Sequence, residues 1–196
     1  MLKCKFQFIF CCWTVIELSK WRVCMPDKEL VNFEIERVFA GWFDASFIHE
    51  KKKITISASD VYGNDGPKIL LEKFIEFYQE DVPQKIVVWD EEPGRYFIIF
   101  TRINKECCIS ISYSYEAEDN LQDKTINQID DFSKNQLRDK LHDWEDLLVV
   151  ENIDINYLLK VFYERFSELD IAEYQNHWMN YPNIQLEKMK MLVDTN

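Results

Sequence analysis

Three consecutive carboxylates, Asp90, Glu91 and Glu92, stand directly before Pro93 and Gly94. They form the one constellation in the chain worth weighing as an active site. Crowded carboxylates raise one another's pKa, and a carboxyl kept protonated near neutrality can serve as a general acid or base. The same residues also make a plain soluble turn, since Pro-Gly reverses the chain and acids suit a hairpin between two apolar strands. The turn is the simpler account, and a small carboxylate-dependent enzyme acting on a cationic substrate stays as the alternative. Elsewhere the reactive residue types are scattered. His49, His142 and His177 are isolated, none in a spacing such as HExxH. Cys107 and Cys108 are adjacent, so on a strand their thiols point to opposite faces. Four glycines leave little material for a phosphate-cradling loop, and no G-x-S-x-G elbow is present. The expectation is therefore a protein with no catalytic residue, no metal site and no cofactor.

Charge is the stronger signal. Residues 116–154 hold twelve Asp and Glu against four Lys and Arg, without a Gly or Pro. Within them, the run SKNQLRDKLHDWEDLL has helical periodicity. Leu137, Leu141, Trp144 and Leu148 fall on one helix face, and Asp139, Asp143 and Asp146 on the opposite one. Ser133 with Gln136 fits a capping box at its start. Asp is a mediocre helix former, so three on one face cost propensity that Glu or Lys would not. An acidic ridge of Asp139, Asp143 and Asp146, extended by Asp130, Asp131 and Glu145, is the expected partner-binding surface. A merely solvated helix face is the competing account.

Composition bounds the partner. The chain has 196 residues, 47% of them hydrophobic, and a formal net charge of −12. That length suits one domain with a real core. That charge opposes sequence-independent binding to nucleic acid or an anionic membrane. The expected partner is a protein with a basic surface, a nuclease toxin domain being one candidate. Residues 1–24 differ from the rest, with four of the six cysteines and four bases against one acid. Their apolar run, Phe6 to Ile16, is shorter than the roughly 20 residues that span a bilayer. It resembles a signal core without a small-residue cleavage site. A retained N-terminal segment and an upstream extension before a true start at Met25 are the other readings. The remaining domain is then 25–196. With only Cys107 and Cys108 outside the first segment, no disulfide framework is expected and the cytoplasm is the economical location.

The elements that position these residues follow from periodicity. GWFDASFIH and KKITISAS read as paired strands around the turn at His49 to Lys52. NDGP opens a helix carrying Leu70, Leu71, Phe74, Phe77 and Tyr78 on one side. QKIVVWD, RYFIIFTRI and CCISISYSY read as an antiparallel meander, the middle strand apolar on both faces and so central. After the acidic helix, INYLLKVFYERFSEL, IAEYQNHWM and IQLEKMKML read as helices. The expected fold is α+β, an antiparallel sheet of about five strands with helices packed on one face and a mostly helical C-terminal half.

Trp42, Ser59, Glu92-Pro93-Gly94, Trp178 and Tyr181-Pro182 occur in an order that resembles a family of small bacterial immunity-type and uncharacterised proteins associated with polymorphic or contact-dependent toxins. The resemblance covers residues 41–192 through short motifs. It implies a cytoplasmic antitoxin that binds and blocks one toxin domain. A regulatory or scaffold subunit of a cellular complex shares every one of these features except partner identity. If translation starts at Met25, a chain from Met25 onward should show the same cooperative thermal unfolding as the full sequence. Loss of that cooperativity would assign Phe6 to Trp21 to the core.

Overall fold

The computed structural model describes residues 29–61, 63, 65–103, 106–115, 117, 129 and 132–195. The first strand, β1 (Asn32–Phe39), turns through Ala40 and Gly41 into β2 (Trp42–His49), and β3 (Lys52–Ser59) completes a three-stranded antiparallel sheet in the order β1-β2-β3. Ala40 and Gly41 both have positive φ, as a two-residue hairpin turn matched to strand twist requires. Helix α1 (Gly66–Gln79) then leads to β4 (Gln84–Asp90), β5 (Arg95–Ile103), β6 (Glu106–Ser114) and β7 (Glu145–Ile153), a second antiparallel sheet in the order β4-β5-β6-β7. Between β6 and β7 lies α2 (Lys134–Lys140), and α3 (Ile155–Ser167), α4 (Ile171–His177) and α5 (Asn183–Asp194) follow β7.

The fold is α+β, but its strands form two sheets of three and four rather than one of about five. Two strands account for the difference. β1 carries a bulge between Ile35 and Arg37, which shifts the alternation of Phe33, Ile35 and Val38 and hides the strand from a period-two search. β7 occupies the end of the run read as the acidic helix. That helix stops at Lys140, and the chain re-enters as a strand at Glu145. Val149, Val150 and Ile153 suit a pleated surface, and their strand satisfies the backbone groups that β6 would otherwise leave open at its edge. An isolated parallel bridge between Glu29 and Ile153 ties the chain entering β1 to the end of β7.

Both inner faces share one core. Phe43, Ala45, Phe47 and Ile56 from the first sheet meet Val87, Trp89, Ile98, Phe100, Ile109 and Ile111 from the second, with α1, α3 and α5 closing around them. Phe162 on α3 is central. Its ring lies edge-on to Phe33 and Phe74 at 5.0 Å between centroids, and reaches Phe47 at 6.3 Å and Phe100 at 6.5 Å. One side chain thereby joins both sheets and α1. α1 starts against Trp89 so closely that a Cβ on Gly66 would sit 2.8 Å from the indole, so glycine is required there by contact.

The outer face of the four-stranded sheet is covered too. Ile86, Val88, Phe97 and Ile99 form a second, smaller core with Ala117, Ile129, Leu137 and Leu141, flanked by Phe132 and Trp144. β5 is thus buried on both faces, as its apolar sequence predicts. The expectation of helices on one face only is corrected, because part of the acidic segment roofs the other. Ser133 and Gln136 form the expected reciprocal capping box at α2. Phe162→Ala should cost about 3–5 kcal/mol and Leu137→Ala about 2–5 kcal/mol, as large buried deletions do. Denaturant melts of the two variants check this. An unchanged midpoint for Leu137→Ala would mean that the roof does not contribute to folding.

Candidate functional site

The four described residues singled out for partner binding are divided among α2, the turn after it and β7. Asp139 lies exposed near the end of α2, Asp143 sits in the turn after it, and Glu145 and Asp146 start β7. Asp130 and Asp131 lie outside the described residues. The helical face that would have aligned Asp139, Asp143 and Asp146 ends before the second of them.

Two of the acids are hydrogen-bonded to β6. Asp143 accepts hydrogen bonds from the Ser114 hydroxyl and the Tyr115 backbone N–H. Asp146 accepts from Ser112 Oγ at 2.7 Å and Trp144 Nε1 at 3.0 Å, and Lys134 Nζ lies 2.9 Å away. Partial burial of Asp146 works against ionisation, yet the bonds from Ser112, Lys134 and Trp144 outweigh it and hold its pKa below the ordinary carboxylate range. The serines that alternate along β6 are the other half of this arrangement. Ser110, Ser112 and Ser114 are buried beneath the acidic segment, and two of them donate to its carboxylates. Trp144 is half-buried, its ring 4.9 Å from that of Phe97, so it flanks the second core rather than filling the first. Asp139 and Glu145 remain exposed.

The 90–92 turn is also less exposed than a bare hairpin tip. Asp90 is buried and pairs with Arg95 at 2.6 Å. Glu92 accepts from the Ser59 hydroxyl at 3.0 Å, which fastens the β4–β5 turn to the end of β3. Glu91 is partly buried, and its desolvation raises its pKa despite hydrogen bonds from Tyr96 and Tyr113, with the Asp44 charge adding to the rise. Gly94 lets Tyr113 approach, since a Cβ there would fall 2.2 Å from the phenol oxygen. The three carboxylates therefore part company. One is neutralised by arginine, one tethers a strand, and only Glu91 has the environment of an acid–base group.

A second carboxylate with a raised pKa was missed by motif reading. Asp65 caps α1, accepting from Lys68 N at 3.4 Å and from Trp178 Nε1 at 3.0 Å. Desolvation raises its pKa against those bonds. The capping position before Pro67 was the available signal, but the partnership with Trp178, 113 residues away, was not visible. Two further residues of the order that carries the resemblance have structural partners. Tyr181 donates to the Phe166 carbonyl at 2.6 Å, and Trp178 packs on Phe43.

Among the histidines, His49 lies 3.0 Å from Glu29 and His177 stacks obliquely on Phe39, while His142 is exposed in a turn. No group of three metal-ligating side chains occurs among the described residues. Cys107 and Cys108 are free and buried, and burial pushes the Cys107 thiol up to about 12, far from a reactive thiolate. No helix among the described residues is long and apolar enough to cross a membrane. No protein-family model matches the chain, and no match was found among curated proteins or solved structures.

Two outcomes follow. Asp139→Asn should leave stability within about ±0.5 kcal/mol, whereas Asp143→Ala should cost about 1–3 kcal/mol by orphaning the buried Ser114 hydroxyl. Chemical denaturation of both variants measures the contrast, and equal midpoints would show that Asp143 is only a surface charge. For Asp65 the folded pKa is above the unfolded one. Its contribution is therefore most favourable below the unfolded pKa of about 3.9 and declines as pH rises through the folded value. Asp65→Asn keeps an acceptor for Trp178 and removes that ionisation. Its melting temperature relative to the parent should rise from acid to neutral pH, and a relative loss at neutral pH would contradict the assignment.

Proposed function

We propose that this protein is a non-enzymatic binding protein that captures a basic protein partner, as a cytoplasmic immunity protein does when it neutralises a cognate bacterial toxin domain. The observation that carries the reading is charge. The chain has 35 acidic residues against 23 Lys and Arg, so even complete one-to-one pairing leaves a dozen carboxylates without a cation of their own. A basic surface supplies those cations, accelerates encounter and sets orientation. Nuclease domains are basic because they grip phosphate, which suits them to such a partner. Asp139 and Glu145 stand exposed for this role, while Asp143 and Asp146 hold the segment that presents them.

A second reading keeps the alternative of a carboxylate-dependent enzyme, now narrowed to Glu91. Its support is the raised pKa of a partly buried carboxyl set between two phenols. Glu91→Gln with no loss of biological effect would remove it.

The decisive experiment is co-expression with the product of the adjacent gene. Under the proposed function, that product arrests growth alone and not beside this protein. Capture of the purified product should weaken steeply between about 0.05 M and 0.5 M salt, where the screening length falls from roughly 14 Å to 4 Å. A non-toxic neighbour together with salt-independent capture would overturn the proposal.

A further inference from the structure

Among the described residues the outer edge of β1 is open: β1 pairs only with β2 there, and the Glu29–Ile153 bridge lies before the strand begins. Five consecutive residues, 35–39, line a groove of about 400 Å³ whose far wall is Leu169, Asp170, Glu173 and Tyr174, from the α3–α4 link and α4. Phe33 is sealed by Phe162 and Phe166, but Ile35 and Val38, further along the strand's core side, are only partly buried. Phe39 is 55% exposed at the end of the strand. A run of successive strand residues along a groove means that the backbone edge itself is presented, beside an apolar floor and a helix.

The charge of the groove is one-sided. Arg37 turns its guanidinium onto Asp44 at 2.7 Å, and Glu36 is met by Lys53 at 2.7 Å. Among the described residues no cation pairs with Glu173 or with Asp170, which caps α4 by accepting from Glu173 N–H at 2.8 Å, and both residues are exposed. An occupant therefore needs three properties together: an extended backbone with free N–H and C=O groups, apolar side chains for Ile35, Val38 and Leu169, and cations for the α4 wall.

We propose that this groove receives an extended basic segment of the protein partner, which adds as a fourth strand to the β1 edge and sets Lys or Arg side chains against Glu173 and Asp170. The proposal rests on the basic-partner reading and gives it a place. The bulge at Ile35–Arg37 limits the regular pairing to a few residues, so the groove contacts must supply much of the affinity.

The test uses the blocked hexapeptide Val-Arg-Val-Arg-Val-Arg, titrated into isotopically labelled full-length protein and followed by amide chemical shifts. Shifts should concentrate at residues 35–39 and 169–174. Affinity should fall at least tenfold in Glu173→Lys and severalfold in Glu173→Gln, both of which should fold because the side chain is exposed. The same peptide N-methylated at alternate residues keeps its charge but cannot pair with a strand, and it should bind at least fivefold more weakly. Shifts centred on Asp139 and Glu145, an unaltered affinity in Glu173→Lys, or equal binding of the methylated peptide would each overturn the proposal. Capture of the adjacent-gene product separates the two levels. Salt-dependent capture that Glu173→Lys leaves intact rejects the groove and keeps the basic-partner reading, whereas salt-independent capture rejects that reading itself.

Discussion

The ring of Phe162 is the contact on which the rest of the molecule depends. It lies edge-on to rings from β1, β2, α1 and β5, so aromatic packing joins the two sheets, between which the described residues form no ladder. Edge-to-face pairs add energy beyond area burial and tolerate little rotation. That constraint fixes where α3 lies, and α3 in turn decides how much of β1 is covered. Phe33 is closed off beneath it, and Ile35 and Val38 beyond it are not.

The second constraint is a sheet that is apolar on both sides. With Val88, Phe97 and Ile99 facing away from the main core, the chain must supply another cover, and it draws that cover from its most acidic stretch. A carboxylate brought against a sheet needs donors. Buried serines on β6 provide them, and Lys134 adds a charge. The alternation of Ser with Ile on β6 thus marks a polar seam between sheet and roof, where a solvated face would be the ordinary reading of the same pattern.

These constraints divide the acids by work. Asp143, Asp146, Asp90, Asp65 and Asp154 cap helices, pair with cations or hold turns. Others, among them Asp139, Glu145 and Glu173, have no such task and face solvent. Among the described residues these solvent-facing acids lie on different elements, Asp139 on α2, Glu145 on β7 and Glu173 on α4. An open strand edge, apolar side chains and acids without a cation meet, among the described residues, at the β1 groove.

Local pattern alone determined much of the fold. β2 to β6, α1, the capping box at Ser133 and the helices after residue 154 were legible because their periodicity or turn chemistry is local. The central position of β5 was legible because a strand apolar on both faces has nowhere else to go. β1 escaped because a bulge breaks period two. β7 escaped because Leu137, Leu141, Trp144 and Leu148 satisfy a helical period that only the free edge of β6 overrides. The candidate site divided in the same way. Residue type was enough to single out the carboxylates and the net charge. Which carboxylate is buried, which is paired and which is free depends on Ser112, Ser114, Arg95 and Trp178. Some of those partners are distant in the chain, and only the packing of the two sheets brings them within hydrogen-bonding distance.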